Sequence, residues 1–203
     1  MTKELNVLKK KISNCQICSE FFLHIPRPIF QLSSKATILI AGQAPGRKVH
    51  ESGIPFADPS GDRLRNWMGV SKAEFYDSNK IAILPMGFCY PGKGKSGDLP
   101  PRQECALTWR NKTLKLMPKV QLTLVIGSYA IKWHLGKSMK NNLTETVRAW
   151  DTYPSNIIPL PHPSPRNNIW LSKHSWFESE VLPAMREKIQ CALKWRPRAD
   201  SNG

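Results

Sequence analysis

A chain of 203 residues and 23.0 kDa, with 30 Lys and Arg against 15 Asp and Glu, carries a formal charge of +15 at pH 7. That balance points to a polyanionic partner, with nucleic acid ahead of an acidic membrane. A hydrophobic content of 40% excludes a disordered chain, and no apolar run approaches the roughly 20 residues of a membrane span. The charged N-terminus lacks the apolar segment of a signal peptide, so a reducing, cytoplasmic setting is expected for the five cysteines.

In chain order, residues 1–13 set Leu5, Leu8 and Ile12 on one helical face. Four short apolar runs follow at 36–41, 80–86, 121–126 and 156–160. They are rich in Ile, Leu and Val without clean alternation, the pattern of strands buried on both faces of a parallel sheet. Helices are expected at 61–68, 101–117 and 129–135, and from 175 to 195, where Pro183 should kink or divide the last one. Strands alternating with helices predict an α/β fold of one domain over 1–203: a three-layer α/β/α sandwich on a four-stranded, mainly parallel sheet.

Gly- and Pro-rich segments follow each strand: Gly42-Gln43-Ala44-Pro45-Gly46, Cys89-Tyr90-Pro91-Gly92, Gly127-Ser128 and His162-Pro163-Ser164-Pro165. Open α/β sheets bind ligands outside the carboxyl ends of their strands, so these segments mark one expected site. The glycine turn lacks the Lys-Ser/Thr of a phosphate loop and the spacing of a dinucleotide fingerprint, so no nucleotide cofactor is expected. His162 between prolines has no packing periodicity, and a rigid imidazole suits donation to charge developing on a leaving group. Ser164, Arg166 and Asn167 beside it suit phosphates or base edges. Phe56, on the glycine- and proline-bounded loop from Gly53 to Gly61, can stack on a planar base or plug the local core. His24, His50, His134 and His174 read as surface or filler residues.

Cys15 and Cys18 form a C-x2-C pair, and Cys89 and Cys105 follow. Together they supply enough thiolates for a tetrahedral zinc or an iron–sulfur cluster, or are four unrelated thiols. Cys191, among apolar residues of the last helix, reads as packing.

This ordered set resembles the uracil-DNA glycosylase superfamily over roughly residues 10–190, most closely its iron–sulfur family 4 branch. That branch has GEAPG after the first strand, a glycine-bounded loop carrying Pro-Phe, a cysteine pair before the sheet, two later cysteines, and HPS after the last strand. The segments PFADPSGDRLRNW, CYPG and HPSPRNNIWL resemble a bacterial subgroup. The resemblance implies a monomer that excises a deaminated base from DNA by hydrolysing its N-glycosidic bond. It implies that Phe56 stacks on the flipped-out base, that Gly42, Gln43 and Ala44 bind the base or position water, and that His162 stabilises the base anion. Cys15, Cys18, Cys89 and Cys105 would ligate a structural 4Fe–4S cluster. Two departures stand out. Pro85 occupies the place of the uracil-reading Asn, which widens the expected base from uracil to hypoxanthine. Gln43 and Ala44 leave the glycine turn without a carboxylate, so the water activator is expected from the neighbouring loop, Asp58 ahead of Asp62 or Glu51, or the water is unactivated. The alternative is a non-catalytic member that binds DNA or a nucleobase.

Overall fold

The computed structural model describes residues 2–195. Its centre is a sheet of β1 (Ile38–Ala41), β2 (Ile81–Ile83), β3 (Leu122–Ile126) and β4 (Ile157–Leu160), in the order β2-β1-β3-β4. Every pairing is parallel: Ile38 lies beside Ile81 and Leu122, and Thr123 beside Ile157. The strands are shorter than the apolar runs by one to three residues at their ends. The β1–β2 pairing continues beyond them, because the Met86 and Gly87 amides donate to the carbonyls of Gly42 and Gln43 at 2.9 Å.

Successive strand residues point to opposite faces. Ile38, Ile40, Ile81, Ile83, Leu122 and Leu124 pack with α3 (Pro59–Met68), α4 (Lys72–Tyr76), α8 (Leu143–Arg148) and α10 (Leu182–Lys194). On the other face, Leu39, Ala82 and Leu84 meet Leu8 and Ile12 of α1 (Thr2–Ser13), while Ala41 and Val125 meet Ala130 and Ile131 of α7 (Gly127–Leu135). The expected three-layer α/β sandwich is therefore present. The last helical run divides as Pro183 demands, into a π turn Phe177–Val181 followed by α10, with the proline in its first turn. Within α10, Ile189 and Ala192 face the core, which turns Cys191 outward; the packing expected for it is not what the fold gives, and the thiol is exposed.

The helix expected at 101–117 is broken. It runs as α5 (Gln103–Cys105), a π turn Ala106–Arg110 and α6 (Asn111–Lys115). A π turn adds a residue per turn, so Cys105 and Arg110, five apart, both face inward. Arg110 is 1% exposed, and its Nη1 donates to the carbonyls of Leu84 (2.9 Å) and Pro85 (3.3 Å). Its Nη2 lies 2.6 Å from Nε2 of His134, so His134 is a half-buried acceptor and not filler. The guanidinium closes the carbonyls at the exit of β2, which otherwise have no partner in the core.

Burial, and then the adjacent Arg110 charge, push His134 down to about 3 from its ordinary 6.5. Below pH 6.5 the unfolded chain takes up a proton that the folded chain refuses. Stability is therefore full above about 6.5 and falls as pH drops towards 3, by up to about 1.4 kcal/mol per pH unit from this group. His162 and His50 are displaced in the same direction and add to the slope. His134→Gln keeps an acceptor for Arg110 without titrating, so urea midpoints of that variant should fall less steeply between pH 6.5 and 5 than those of wild type. Parallel slopes would contradict the assignment.

Candidate active site

At the carboxyl edge of the sheet lies a cavity of about 470 Å³, within the range of small-molecule sites. Its lining comes chiefly from the glycine turn (Gly42–Gly46), the nearby loop carrying Pro55, Phe56, Asp58 and Ser60, and the distant loop carrying His162, Ser164, Arg166 and Asn167. Ile83 and Pro85 form the wall at the exit of β2, and Ser96, Gly97, Asp98 and Leu99 edge the mouth. The Gly127-Ser128 segment is no loop: α7 begins at Gly127 itself, which packs behind the His162 ring without lining the cavity.

His162 follows β4, and its setting fixes its proton. The Ser164 amide donates to Nδ1 at 3.2 Å, so the neutral ring carries its hydrogen on Nε2. The Asn167 side-chain amide donates to the His162 carbonyl at 2.7 Å, and Arg63 donates to the Ser164 carbonyl at 3.1 Å. Burial pushes the imidazole below its ordinary value, against the opposing charges of Asp58 and Asp98. The ring is consequently neutral at pH 7, and its Nε2–H has no acceptor among the described residues. Ser164 and Asn167, expected to meet DNA, spend these groups on bracing the imidazole. Arg166 reaches across the mouth and donates to the Ser96 carbonyl at 3.3 Å.

Phe56 adopts φ 55°, the sole left-handed residue other than glycine among the described residues. Such a conformation is costly for an aromatic residue and persists only where its surroundings enforce it. The loop has that enforcement: Tyr76 donates to the Pro55 carbonyl at 3.0 Å, Arg65 donates to the Phe56 carbonyl at 3.4 Å, and Phe75 meets the ring edge-on at 6.0 Å. One edge of the ring approaches Gly42 so closely that an added Cβ there would lie 3.4 Å from it. Phe56 thus leans on the core and also lines the cavity. Asp58 lines the cavity too, although its Oδ1 accepts the Gly61 amide at 3.0 Å and caps α3.

Asp98 is a cavity-lining carboxylate not expected from the sequence. It lies at the mouth, exposed, with Oδ1 3.4 Å from the Tyr90 hydroxyl and Oδ2 3.5 Å from where a Gly46 Cβ would stand. The glycines at 92, 94 and 97 before it were the legible sign of a shaped loop. Also unforeseen is a stack of Phe22, His24 and Tyr90, with His50 tilted against His24 at 4.3 Å.

Cys15, Cys18, Cys89 and Cys105 line one small, separate pocket with Phe22, Pro26, Pro28, Phe88 and Trp109. The Phe88 amide donates to Cys105 Sγ at 3.3 Å, and Arg102 lines the same pocket beside Cys18. Burial pushes Cys89 and Cys105 up to about 12, so these thiols ionise only beside a strong positive charge. Among the described residues, no three His, Cys, Asp or Glu side chains gather tightly enough for a single metal ion.

The family model of the Uracil DNA glycosylase superfamily matches residues 30–186, most of the chain. The chain belongs to that superfamily. Within the superfamily domain of this chain, the sheet edge, the glycine turn, the Phe56 loop and the His162 loop form one cavity. No helix among the described residues is long and apolar enough to cross a membrane.

The Phe56 loop yields a direct test. A Cβ at residue 61 would lie 1.8 Å from the Phe56 carbonyl oxygen, so Gly61→Ala must displace the loop. Urea denaturation should show a loss of about 3 kcal/mol; a loss below about 0.5 kcal/mol would mean that the loop is not held as described.

Proposed function

We propose that this protein is a monofunctional DNA glycosylase that removes a deaminated base, uracil or hypoxanthine, from a flipped-out nucleotide. The observation that carries the reading is the neutral His162, its Nε2–H uncommitted, in the same cavity as the Phe56 ring and the glycine turn. A base inside a duplex is out of reach, so it must leave the stack at a cost of a few kcal/mol. Exposed Arg47, Lys48, Lys93, Lys95 and Arg166 stand on the segments around the cavity and offset that cost through phosphate contacts. Ser164 and Asn167 complete the DNA-facing loop.

Inside the cavity, Phe56 would stack on the base while Gly42, Gln43 and Ala44 present backbone to its edge. As the glycosidic bond breaks, the bonding electrons remain on the base and the sugar becomes oxocarbenium-like. A fixed Nε2–H donor strengthens its bond to the base as negative charge grows, so it lowers the barrier more than it tightens ground-state binding. A neutral donor suits this role because it raises the acidity of the leaving base without protonating it. Pro85 has no side-chain donor, and its carbonyl is occupied by Arg110, so the wall at β2 does not select uracil by an amide pair. The cavity volume leaves room for a purine.

The rival reading is a superfamily member that binds DNA or a free base without excision, and Pro85 at the base-reading place favours it. A panel of uracil- and hypoxanthine-containing oligonucleotides, treated with protein and then alkali, separates the two. Strand scission at the modified base is expected, with His162→Ala slower by about 10²–10³-fold. DNA affinity without scission on any substrate would select the rival.

We further propose that Cys15, Cys18, Cys89 and Cys105 hold a 4Fe–4S cluster. Four thiols facing one apolar pocket, with the Phe88 amide donating to Cys105 Sγ, are a suitable donor set. The cluster's role would be structural, tying the segment after α1 to the exit of β2 and to α5. Anaerobic purification should give a brown, iron-containing protein, and Cys15→Ala should lose both iron and stability. Colourless protein with stoichiometric zinc would contradict the cluster.

A further inference from the structure

We propose that Asp98, carried by the loop from Pro91 to Leu99, is the catalytic carboxylate that activates the attacking water. This assignment rests on the glycosylase reading above and concerns the half of the reaction that His162 does not serve.

Geometry restricts where such a group can stand. A flipped base fills the depth of the cavity, between the Phe56 ring and the His162 imidazole, so the C1′ atom of its sugar must lie at the mouth. The activating group therefore belongs at the mouth beside the glycine turn. Neither Gln43 nor Ala44 brings a carboxylate to the turn. Asp98 Oδ2 stands beside that turn, 3.5 Å from the Cβ position of Gly46, which is van der Waals contact. Asp58 is the less suitable of the two: its Oδ1 is engaged by the Gly61 amide, holding α3 and with it the Phe56 loop.

The loop that carries Asp98 is a built strap and not a loose excursion. Gly94 donates to the Gly97 carbonyl at 2.6 Å, Leu99 donates to the Gly92 carbonyl at 2.8 Å, and Lys93 and Asp98 face each other in an antiparallel bridge. Arg166 ties the strap to the His162 loop through the Ser96 carbonyl at 3.3 Å, and Tyr90 reaches Asp98 Oδ1 from the strap's base. The charge of Asp98 is felt at His162, which it opposes in its downward displacement, so the two groups share one electrostatic environment.

The step balances as follows. The C1′–N bond breaks with its electron pair passing to the base, whose anion is held by the His162 Nε2–H. Water oxygen bonds to C1′ and its proton passes to the Asp98 carboxylate. Asp98 then releases that proton to solvent, and the base anion takes one up, giving free base and an abasic sugar bearing a C1′ hydroxyl.

The test is single-turnover excision by wild type, Asp98→Asn, Asp98→Ala and Asp58→Asn on the substrate that wild type cleaves, with DNA affinity measured alongside. Asp98→Asn should fall by about 10²-fold or more with DNA affinity within about threefold of wild type. Added formate should restore part of the rate to Asp98→Ala, a rescue that a purely structural role would not permit. Asp98→Asn within about threefold of the wild-type rate, or an Asp98→Ala defect that formate does not touch, overturns the assignment and leaves the glycosylase reading standing. A wild type that excises nothing overturns that reading and the assignment together.

Discussion

The amide of Ser164 donating to Nδ1 of His162 is the interaction on which the chemistry depends. It removes one ring nitrogen from play, assigns the proton to the other, and aims it where the cavity lies. Everything around it serves to hold that bond: prolines at 163 and 165 stiffen the loop, Asn167 ties the His162 carbonyl, and Arg63 ties the Ser164 carbonyl. Burial keeps the ring neutral, which matters because an imidazolium would be costly in that setting and a different kind of catalyst. A donor that is already in place costs no reorganisation when charge develops on the base.

The segment leaving β2 borders both pockets: Pro85 walls the cavity at the sheet edge, Cys89 faces the cysteine pocket, and Pro91 returns to the cavity. Arg110 lies behind this segment and holds its carbonyls. Replacing a buried guanidinium by an apolar residue removes a desolvation cost but orphans those carbonyls, so the cation is best understood as the clamp that fixes where β2 ends. The π turn is what lets one short helix turn both Cys105, to the cysteine pocket, and Arg110, to the carbonyls of Leu84 and Pro85, inward.

Most of the architecture was legible in the sequence. Short continuous apolar runs, rich in β-branched residues and bounded by Gly or Pro, fit strands covered on both faces, and their separations fit helical crossovers. The site loops were legible through their composition: the glycine turn and the His162 loop each follow a strand, and all three, the Phe56 loop included, carry Gly or Pro that no packing pattern requires. Other features were hidden by their physics. The π turn leaves no mark in a helical pattern, although a basic residue on the apolar stripe of Ala106, Thr113 and Met117 was a sign that Arg110 turns inward. Asp98 escaped because a carboxylate after glycines reads as an ordinary turn until the strap is seen to cross the mouth. Cys191 was misplaced because the helix carries apolar neighbours on both sides of it, and only the packing of α10 decides which of them face the sheet.

The central claim is the protonation state of one ring, and imidazole ¹⁵N NMR of the protein labelled at histidine reads it directly. For His162 at pH 7 the account predicts a neutral ring with a protonated Nε2 and an unprotonated Nδ1. A doubly protonated ring, or a neutral ring with its hydrogen on Nδ1, would contradict it.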